Sequence, residues 1–302
     1  MIISIASGKG GTGKTTVAVN LAALAAEIYG GEKRGVFYAD CDVEEPDGHL
    51  FLKPDIEDST KAHTLIPKVD PDKCTLCGKC AEACRFNALL VTRKNVIVFD
   101  ELCHGCGTCK IVCGDDAVSE REREIGVIDE GKAGAGGSGR INYVAGVLNV
   151  GEHMSPPLIK IVRERIESAA KGDDIVFIDA SPGTSCPVIE AVRDTDYVVL
   201  VTEPTPFGLN DLKLAVGMVE TLGLPFGIVI NRYQDDERGR ELLEYMEDKK
   251  LTVLAEIPLR RSIAEIISRG GLLIDEDMEM KNLFRELLNR VILYRGDQYD
   301  EI

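Results

Sequence analysis

Basic residues are scarce: 35 Lys and Arg stand against 51 Asp and Glu in 302 residues, a formal net charge of −16. That imbalance opposes counterion-release binding to nucleic acid and repels anionic lipid surfaces, so neither is expected as a partner. No apolar run approaches the roughly 18 residues of a membrane-spanning helix. The first residues, Met1-Ile2-Ile3-Ser4-Ile5-Ala6, lack the charged n-region of a secretory signal. A soluble, cytoplasmic protein is the expectation. With 44% hydrophobic residues the chain is neither disordered nor of low complexity. At about 150 residues per domain it allows one large domain or two unequal ones.

What is present alternates. A β-branched run (Ile2, Ile3, Ile5) meets a glycine-rich turn and then an apolar-periodic segment from Thr15 to Ile28, which predicts strand, loop and helix. A second strand is expected at 36–39, ending at Asp40, and others at 175–179, 197–201, 226–230 and 252–256. Ser155-Pro156-Pro157 reads as an N-cap and first-turn proline opening a helix to Ala170. Further helices are expected near 211–222, 238–249, 263–268 and 280–294. The last of these is amphipathic and runs into the acidic Gly296-Asp297-Gln298-Tyr299-Asp300-Glu301, which favours core packing over lipid binding. Strands alternating with helices imply an α/β fold, a mainly parallel sheet covered on both faces. Glycines crowd 131–139 (Gly131, Gly134, Gly136, Gly137, Gly139), where a flexible return loop is expected.

Ten cysteines in a reducing compartment are not expected to be disulfides. Eight fall into two identical frames: Cys74, Cys77, Cys80 and Cys84 spell C-x2-C-x2-C-x3-C, and Cys103, Cys106, Cys109 and Cys113 repeat it 29 positions later. This block, from about Ile66 to Val118, interrupts the alternation. The division is therefore one discontinuous α/β domain, 1–65 and 119–302, with an inserted module at 66–118. Zinc is one candidate occupant, since paired C-x2-C motifs make tetrahedral four-thiolate sites. Cys41 and Cys186 stand outside the frames and read first as small buried hydrophobes.

Gly8-Lys9-Gly10-Gly11-Thr12-Gly13-Lys14-Thr15 satisfies G-x-x-x-x-G-K-[ST] between the first strand and first helix. Glycines let backbone N–H groups close around phosphate oxygens, and the helix N-terminus adds its dipole. Lys14 is expected to reach the β/γ-phosphates and the Thr15 hydroxyl to ligate Mg²⁺. Gly8, Gly10 and Gly13 also fit the G-x-G-x-x-G of a dinucleotide turn, but that turn needs neither Lys14 nor Thr15. A glycine turn that only packs the helix is the remaining alternative.

From Lys9 to Thr16 the segment resembles the deviant Walker A of the MinD/ParA family of P-loop ATPases (SIMIBI class), to which the nitrogenase iron protein is related. The resemblance implies ATP or ADP with Mg²⁺, slow and partner-stimulated hydrolysis, and an ATP-dependent homodimer in which Lys9 crosses to the partner's phosphates. Asp40-Cys41-Asp42 resembles the family's D-x-D switch, with Asp40 and Asp42 around the magnesium shell and Asp42 orienting the attacking water. Two carboxylates facing water at a strand end is the plainer alternative. Asp179-Ala180-Ser181-Pro182-Gly183 is similar to Walker B and switch II, where Asp179 would hold Mg²⁺ through water and Gly183 would let the loop move. An ordinary turn is the alternative there. Asn231, in Asn231-Arg232, and Pro258, in Ile257-Pro258, resemble the adenine-edge contacts, although Asn after a strand is also common in turns.

The cysteine runs resemble the bacterial two-cluster ferredoxin, in which the fourth cysteine of each run ligates the other cluster. Carried over, one [4Fe-4S] cluster takes Cys74, Cys77, Cys80 and Cys113, and the second takes Cys103, Cys106, Cys109 and Cys84. Arg85 and Gly114 stand where that pattern has proline, which bears on local backbone and solvent shielding more than on ligation. His104, between Cys103 and Cys106, is expected to tune or shield a cluster rather than ligate it. Cys186 lies seven residues after Asp179, a spacing similar to that of a cluster ligand in the nitrogenase iron protein, without a clear second ligand.

As a whole the chain resembles MinD-superfamily ATPases carrying an inserted ferredoxin domain of α+β type. Three functions follow as expectations. The first is a redox transducer, in which an ATP-driven dimer switch beside the insert governs electron transfer through two clusters to or from an unidentified protein partner. The second is an iron–sulfur cluster carrier or assembly ATPase of Mrp type. The third is a non-redox positioning ATPase like MinD.

Overall fold

The computed structural model describes residues 1–30, 34–135 and 139–297. In chain order the elements are β1 (Ile2–Ala6), α1 (Lys14–Tyr29), β2 (Val36–Cys41), α2 (Gly48–Leu52), β3 (Asp55–Val69), α3 (Lys79–Ala83), β4 (Leu89–Val91), β5 (Val96–Val98), α4 (Thr108–Ile111), β6 (Val118–Ala135) and β7 (Gly139–Leu148). They continue as α5 (Ser155–Ala169), β8 (Ile175–Ala180), α6 (Cys186–Val192), β9 (Tyr197–Thr202), α7 (Pro206–Thr221), β10 (Phe226–Tyr233), α8 (Glu237–Asp248), β11 (Val253–Pro258), α9 (Arg261–Ser268), α10 (Leu273–Glu276) and α11 (Met278–Asp297).

Among the described residues nine strands form one sheet in the order β11-β10-β9-β1-β8-β2-β7-β6-β3, and β4 pairs with β5 in a second. From β11 to β7 every pairing is parallel. The expected α/β architecture is the one observed. Every residue of β2, β8 and β9 is buried, as parallel strands covered on both faces must be. Alanines 22, 23, 25 and 26 bring α1 close to one face, where α9, α10 and α11 also pack. The other face is covered by α5, α6, α7 and α8.

The far edge was not anticipated. β6 runs antiparallel to both β7 and β3, and the glycine segment expected as a loop is largely strand: Gly131 pairs with Tyr143 and Gly134 with Arg140. At Gly131 the neighbouring strand comes so close that a Cβ would sit 2.2 Å from the Asp55 carbonyl oxygen. Gly136 and Gly137 of that segment, and residues 298–301 of the acidic end, lie outside the described residues. The charged alternation Ser119-Glu120-Arg121-Glu122-Arg123-Glu124 hid β6 from hydrophobic patterning. Its stability comes from the ladder, from Ile125 and Ile128 buried in the core, and from polar cross-strand pairs such as Lys61–Glu124 at 2.7 Å and Ser59–Asp129 at 2.7 Å.

The register carries the architectural consequence. β7 ends opposite Gly126, whereas β3 and β6 stay paired to the last rung, Val69 and Val118. At about 3.4 Å per residue, the unaccompanied ribbon reaches about 25 Å beyond the carboxyl edge of the parallel strands. The cysteine segment sits at its end.

Two helix starts differ from expectation. Ser155 is already helical, and Met154 precedes it without a side-chain cap. Helix α7 begins at Pro206 rather than 211, because the Thr205 side chain accepts a bond from Gly208 N–H and Pro206 fills the first turn.

Candidate functional site

The turn from Ser7 to Gly13 leaves the carboxyl end of β1, the central strand of the parallel run from β11 to β7, and feeds α1. Gly13 has φ +97, and a Cβ there would meet the Asn231 amide at 2.3 Å; only glycine meets both conditions. Gly8 lies against the backbone of Asp211, and Gly10 beside Pro182. Gly11 is exposed, Thr12, Lys14 and Thr16 are buried, and Lys9 and Thr15 are half-buried. The Ser7 hydroxyl donates to the Lys9 carbonyl at 2.6 Å, and Gly183 N–H donates to the Ser7 carbonyl at 2.9 Å, tying this loop to the segment after β8.

Three carboxylates gather beneath it. Asp40 and Asp179 end the neighbouring strands β2 and β8 as partners in register, and both are fully buried. Asp40 accepts from Gly48 N–H at 2.9 Å and Asp42 N–H at 3.2 Å. Asp179 Oδ2 accepts from the Tyr38 hydroxyl at 3.1 Å, while its Oδ1 and the Thr12 hydroxyl are buried without partners. Burial pushes both carboxyls above the usual range, with repulsion from Asp179 adding at Asp40 and Lys14, Thr15 and Tyr38 partly offsetting the rise at Asp179. Burial raises Asp42 to about 7 against the pull of Lys14, with Asp179, Glu44 and Glu45 adding to the rise. The orphaned Asp179 oxygen, the two further carboxylates and the Thr15 hydroxyl are hard oxygen donors of the kind Mg²⁺ takes.

Asn231 and Pro258 sit on the adjoining strands β10 and β11. The Asn231 amide donates to the Thr12 carbonyl at 2.8 Å and accepts from Arg232 N–H at 2.9 Å, so it props the loop from below. That propping role was not legible in the sequence. Nor was Glu203, whose carboxylate pairs with both Lys9 and Arg232. Gly183 takes φ +105, and the Ser181 hydroxyl donates to the Cys41 carbonyl at 3.0 Å. Cys41 is buried as expected, but Cys186 is exposed at the start of α6. The expectation that both cysteines pack as hydrophobes fails for Cys186, because the first turn of α6 stands clear of the core.

The 29-residue sequence repeat is also a structural repeat. Left-handed backbones recur at Leu76 and Gly105, Gly78 and Gly107, and Asn87 and Asp116. Short helices follow as α3 and α4, and Ala88 and Ala117 N–H each donate to a sulfur, of Cys84 and Cys113, at 3.3 Å. One shallow recess is lined by Cys84, Cys103, Cys106 and Cys109. Another is lined by Cys74, Cys77, Cys80 and Cys113. In each, three cysteines of one run meet the fourth of the other. Among the described residues no three His, Cys, Asp or Glu side chains converge as ligands of a single metal ion do. Burial raises the Cys80 and Cys103 thiols and takes Cys109 to about 11. His104 stacks on Phe86 with ring centroids 3.5 Å apart, on the wall of the first recess.

The profile of the CobQ/CobB/MinD/ParA nucleotide binding domain matches residues 3–274. The chain belongs to this family. The chain is similar to two uncharacterized proteins of Methanocaldococcus jannaschii. One is 31% identical over 96% of this chain and 96% of its own length, the other 29% over 97% and 98%. Among solved structures, the fold is similar to the cell division ATPase MinD of Pyrococcus furiosus, with TM-score 0.55, 21% identity and coverage of 96% of this chain and 97% of that one. It is also similar to the septum site-determining protein MinD of Pyrococcus horikoshii OT3, complexed with Mg-ADP, with TM-score 0.57, 23% identity and coverage of 98% and 97%. This is thus a nucleotide-binding protein of MinD/ParA type. Among the described residues no helix is long and apolar enough to cross a membrane.

Proposed function

We propose that this chain is a nucleotide-switched iron–sulfur protein: an ATPase whose Mg-ATP-dependent dimerisation governs electron transfer between two [4Fe-4S] clusters and a protein partner. The observation that carries it is the crossed pairing of the two recesses, each lined by three cysteines of one run and the fourth of the other. Four soft thiol donors around an apolar recess suit a cluster, and the raised thiols are what a cluster's iron relieves. The eight-cysteine segment, 66–118, is the inserted module, and 1–65 with 119–302 is the nucleotide-binding domain. The ribbon β3–β6 joins them on the edge that carries the P-loop, which supports communication between the two sites.

At the nucleotide site, backbone N–H groups of Gly10 to Gly13 and the Lys14 ammonium hold phosphates. Thr15, Asp40, Asp42 and Asp179 would hold Mg²⁺, directly or through water, and Asp42 would orient the attacking water. The ion would supply charge neutralisation at the phosphates. Lys9 acts across the dimer, Gly183 lets the switch segment follow the phosphate, and Asn231 and Pro258 border the base.

Anaerobic purification, iron and sulfide analysis and EPR-monitored redox titration test the reading without nucleotide, with Mg-ADP and with a non-hydrolysed ATP analogue. The expectation is about eight iron and eight sulfide per chain and a nucleotide-dependent midpoint. Each 59 mV of one-electron shift is a tenfold change in equilibrium. Absence of clusters after anaerobic reconstitution sinks it. A second reading, a MinD-like positioning ATPase without redox chemistry, is favoured by the family and the fold similarity and takes over in that event. Intact clusters with identical potentials move the weight to docking control. Loss of iron and sulfide to an apo-acceptor moves it to cluster delivery.

A further inference from the structure

Glu203 follows β9 on the turn into α7, and its side chain is only 12% exposed. Oε1 accepts from Lys9 Nζ at 2.5 Å, and Oε2 accepts from an Arg232 guanidinium nitrogen at 2.7 Å. One cation belongs to the P-loop. The other follows Asn231, whose amide holds the Thr12 carbonyl of the same loop, and has the uncommon left-handed φ of +55 for a non-glycine residue. A single carboxylate therefore ties the lip of the loop to the strand beneath it. Burial pushes Glu203 up, but the hydrogen bonds and charges of Lys9 and Arg232 outweigh it and hold the carboxyl below its ordinary value.

The two P-loop lysines differ in this respect. Lys14 is buried in the loop, and its only described electrostatic partners are Asp42 and Asp179. A P-loop grips the inner phosphates with backbone N–H groups and this lysine, so a bound diphosphate leaves the Lys9–Glu203 pair intact. The added charge of a third phosphate is what competes for Lys9. We propose that Glu203 is a positioning residue that competes for Lys9 with a third phosphate, the one held by the partner across the ATP-dependent dimer, lowering triphosphate affinity relative to diphosphate and giving Lys9 a place to return when that phosphate is lost. The proposal rests on the nucleotide-dependent dimer of the proposed function and holds whether or not the cysteine recesses carry clusters.

The test is Mg²⁺-dependent binding of ADP and of a non-hydrolysed ATP analogue to the full chain, measured by calorimetry. Glu203→Gln is expected to tighten the triphosphate analogue about fivefold, the scale of a partly exposed ion pair, and to leave ADP within about twofold. Glu203→Asp keeps the charge on a shorter stem, and a smaller tightening in the same direction is expected. In a Lys9→Met background the effect of Glu203→Gln on the triphosphate is expected to vanish, as coupling through one partner requires. Equal changes for both nucleotides, weakening of both, or an effect that persists without Lys9 would each overturn the proposal. Melting temperatures of all variants separate loss of fold from loss of coupling.

Discussion

Replacing Asp42 by Asn should stabilise the nucleotide-free protein, and by more at high pH than at low. Burial lifts the Asp42 carboxyl from its ordinary 3.8 to about 7. At full weight that is roughly 3 pH units, or ~4 kcal/mol at 1.36 kcal/mol per unit. The side chain is partly exposed, so solvent screening reduces this to about 2 kcal/mol. The sign follows from the protons: between about pH 4 and 7 the unfolded chain has released a proton that the folded one retains, so stability falls through this window and stays lower above it. Asn carries no such proton. Its advantage over Asp should therefore be about 1 kcal/mol larger at pH 8 than at pH 5, and at pH 8 the gain should reach several degrees in melting temperature, at about 2–4 °C per kcal/mol. The assay is calorimetry of both proteins with chelator at the two pH values. Added Mg²⁺ should narrow the gap, since a cation stabilises the charged form. An equal difference at pH 5 and pH 8, or a less stable Asn variant, refutes the idea that Asp42 is held in an environment hostile to its charge.

Other perturbations address the remaining parts. Cys113→Ser should remove the EPR signal of the cluster in the recess with Cys74, Cys77 and Cys80, and Cys84→Ser that of the other; loss of the signal from each residue's own run would disprove the crossed pairing. Asn231→Ala leaves the buried Thr12 carbonyl unpaired, which should cost about 1–3 kcal/mol and weaken ADP and ATP-analogue binding alike in a titration. Arg163 is 2% exposed and donates to the Glu190 carbonyl at 3.0 Å, to the Arg193 carbonyl, and to Glu167 at 2.5 Å. Arg163→Met should therefore lower stability by about 2 kcal/mol in denaturant melts, without altering nucleotide preference.

The phosphate loop and the cysteine frames were legible because their chemistry is local. A glycine-rich turn, a lysine and a hydroxyl within eight positions carry their own context. The 29-residue repeat surfaces in the fold as paired left-handed residues, from Leu76 and Gly105 to Asn87 and Asp116. Buried parallel strands such as β8 and β9 were legible because both faces are apolar. The β3–β6 ribbon was not, since a polar two-stranded edge held by backbone pairing leaves no hydrophobic period. The start of α7 was missed although Thr205-Pro206 carries the cap signal.

Alone, the sequence determined the residue types of the glycine-rich loop and the cysteine frames and the α/β class, because a tight turn, a spaced repeat and two-faced burial each demand particular side chains at short spacing. Only the tertiary structure decided which distant groups meet. It put Asp40 beside Asp179, Asn231 beneath Thr12, Glu203 between Lys9 and Arg232, and both cysteine recesses on the P-loop edge. Those contacts depend on strand order and register, which are set by the packing of the whole sheet and leave no mark at any one position of the chain.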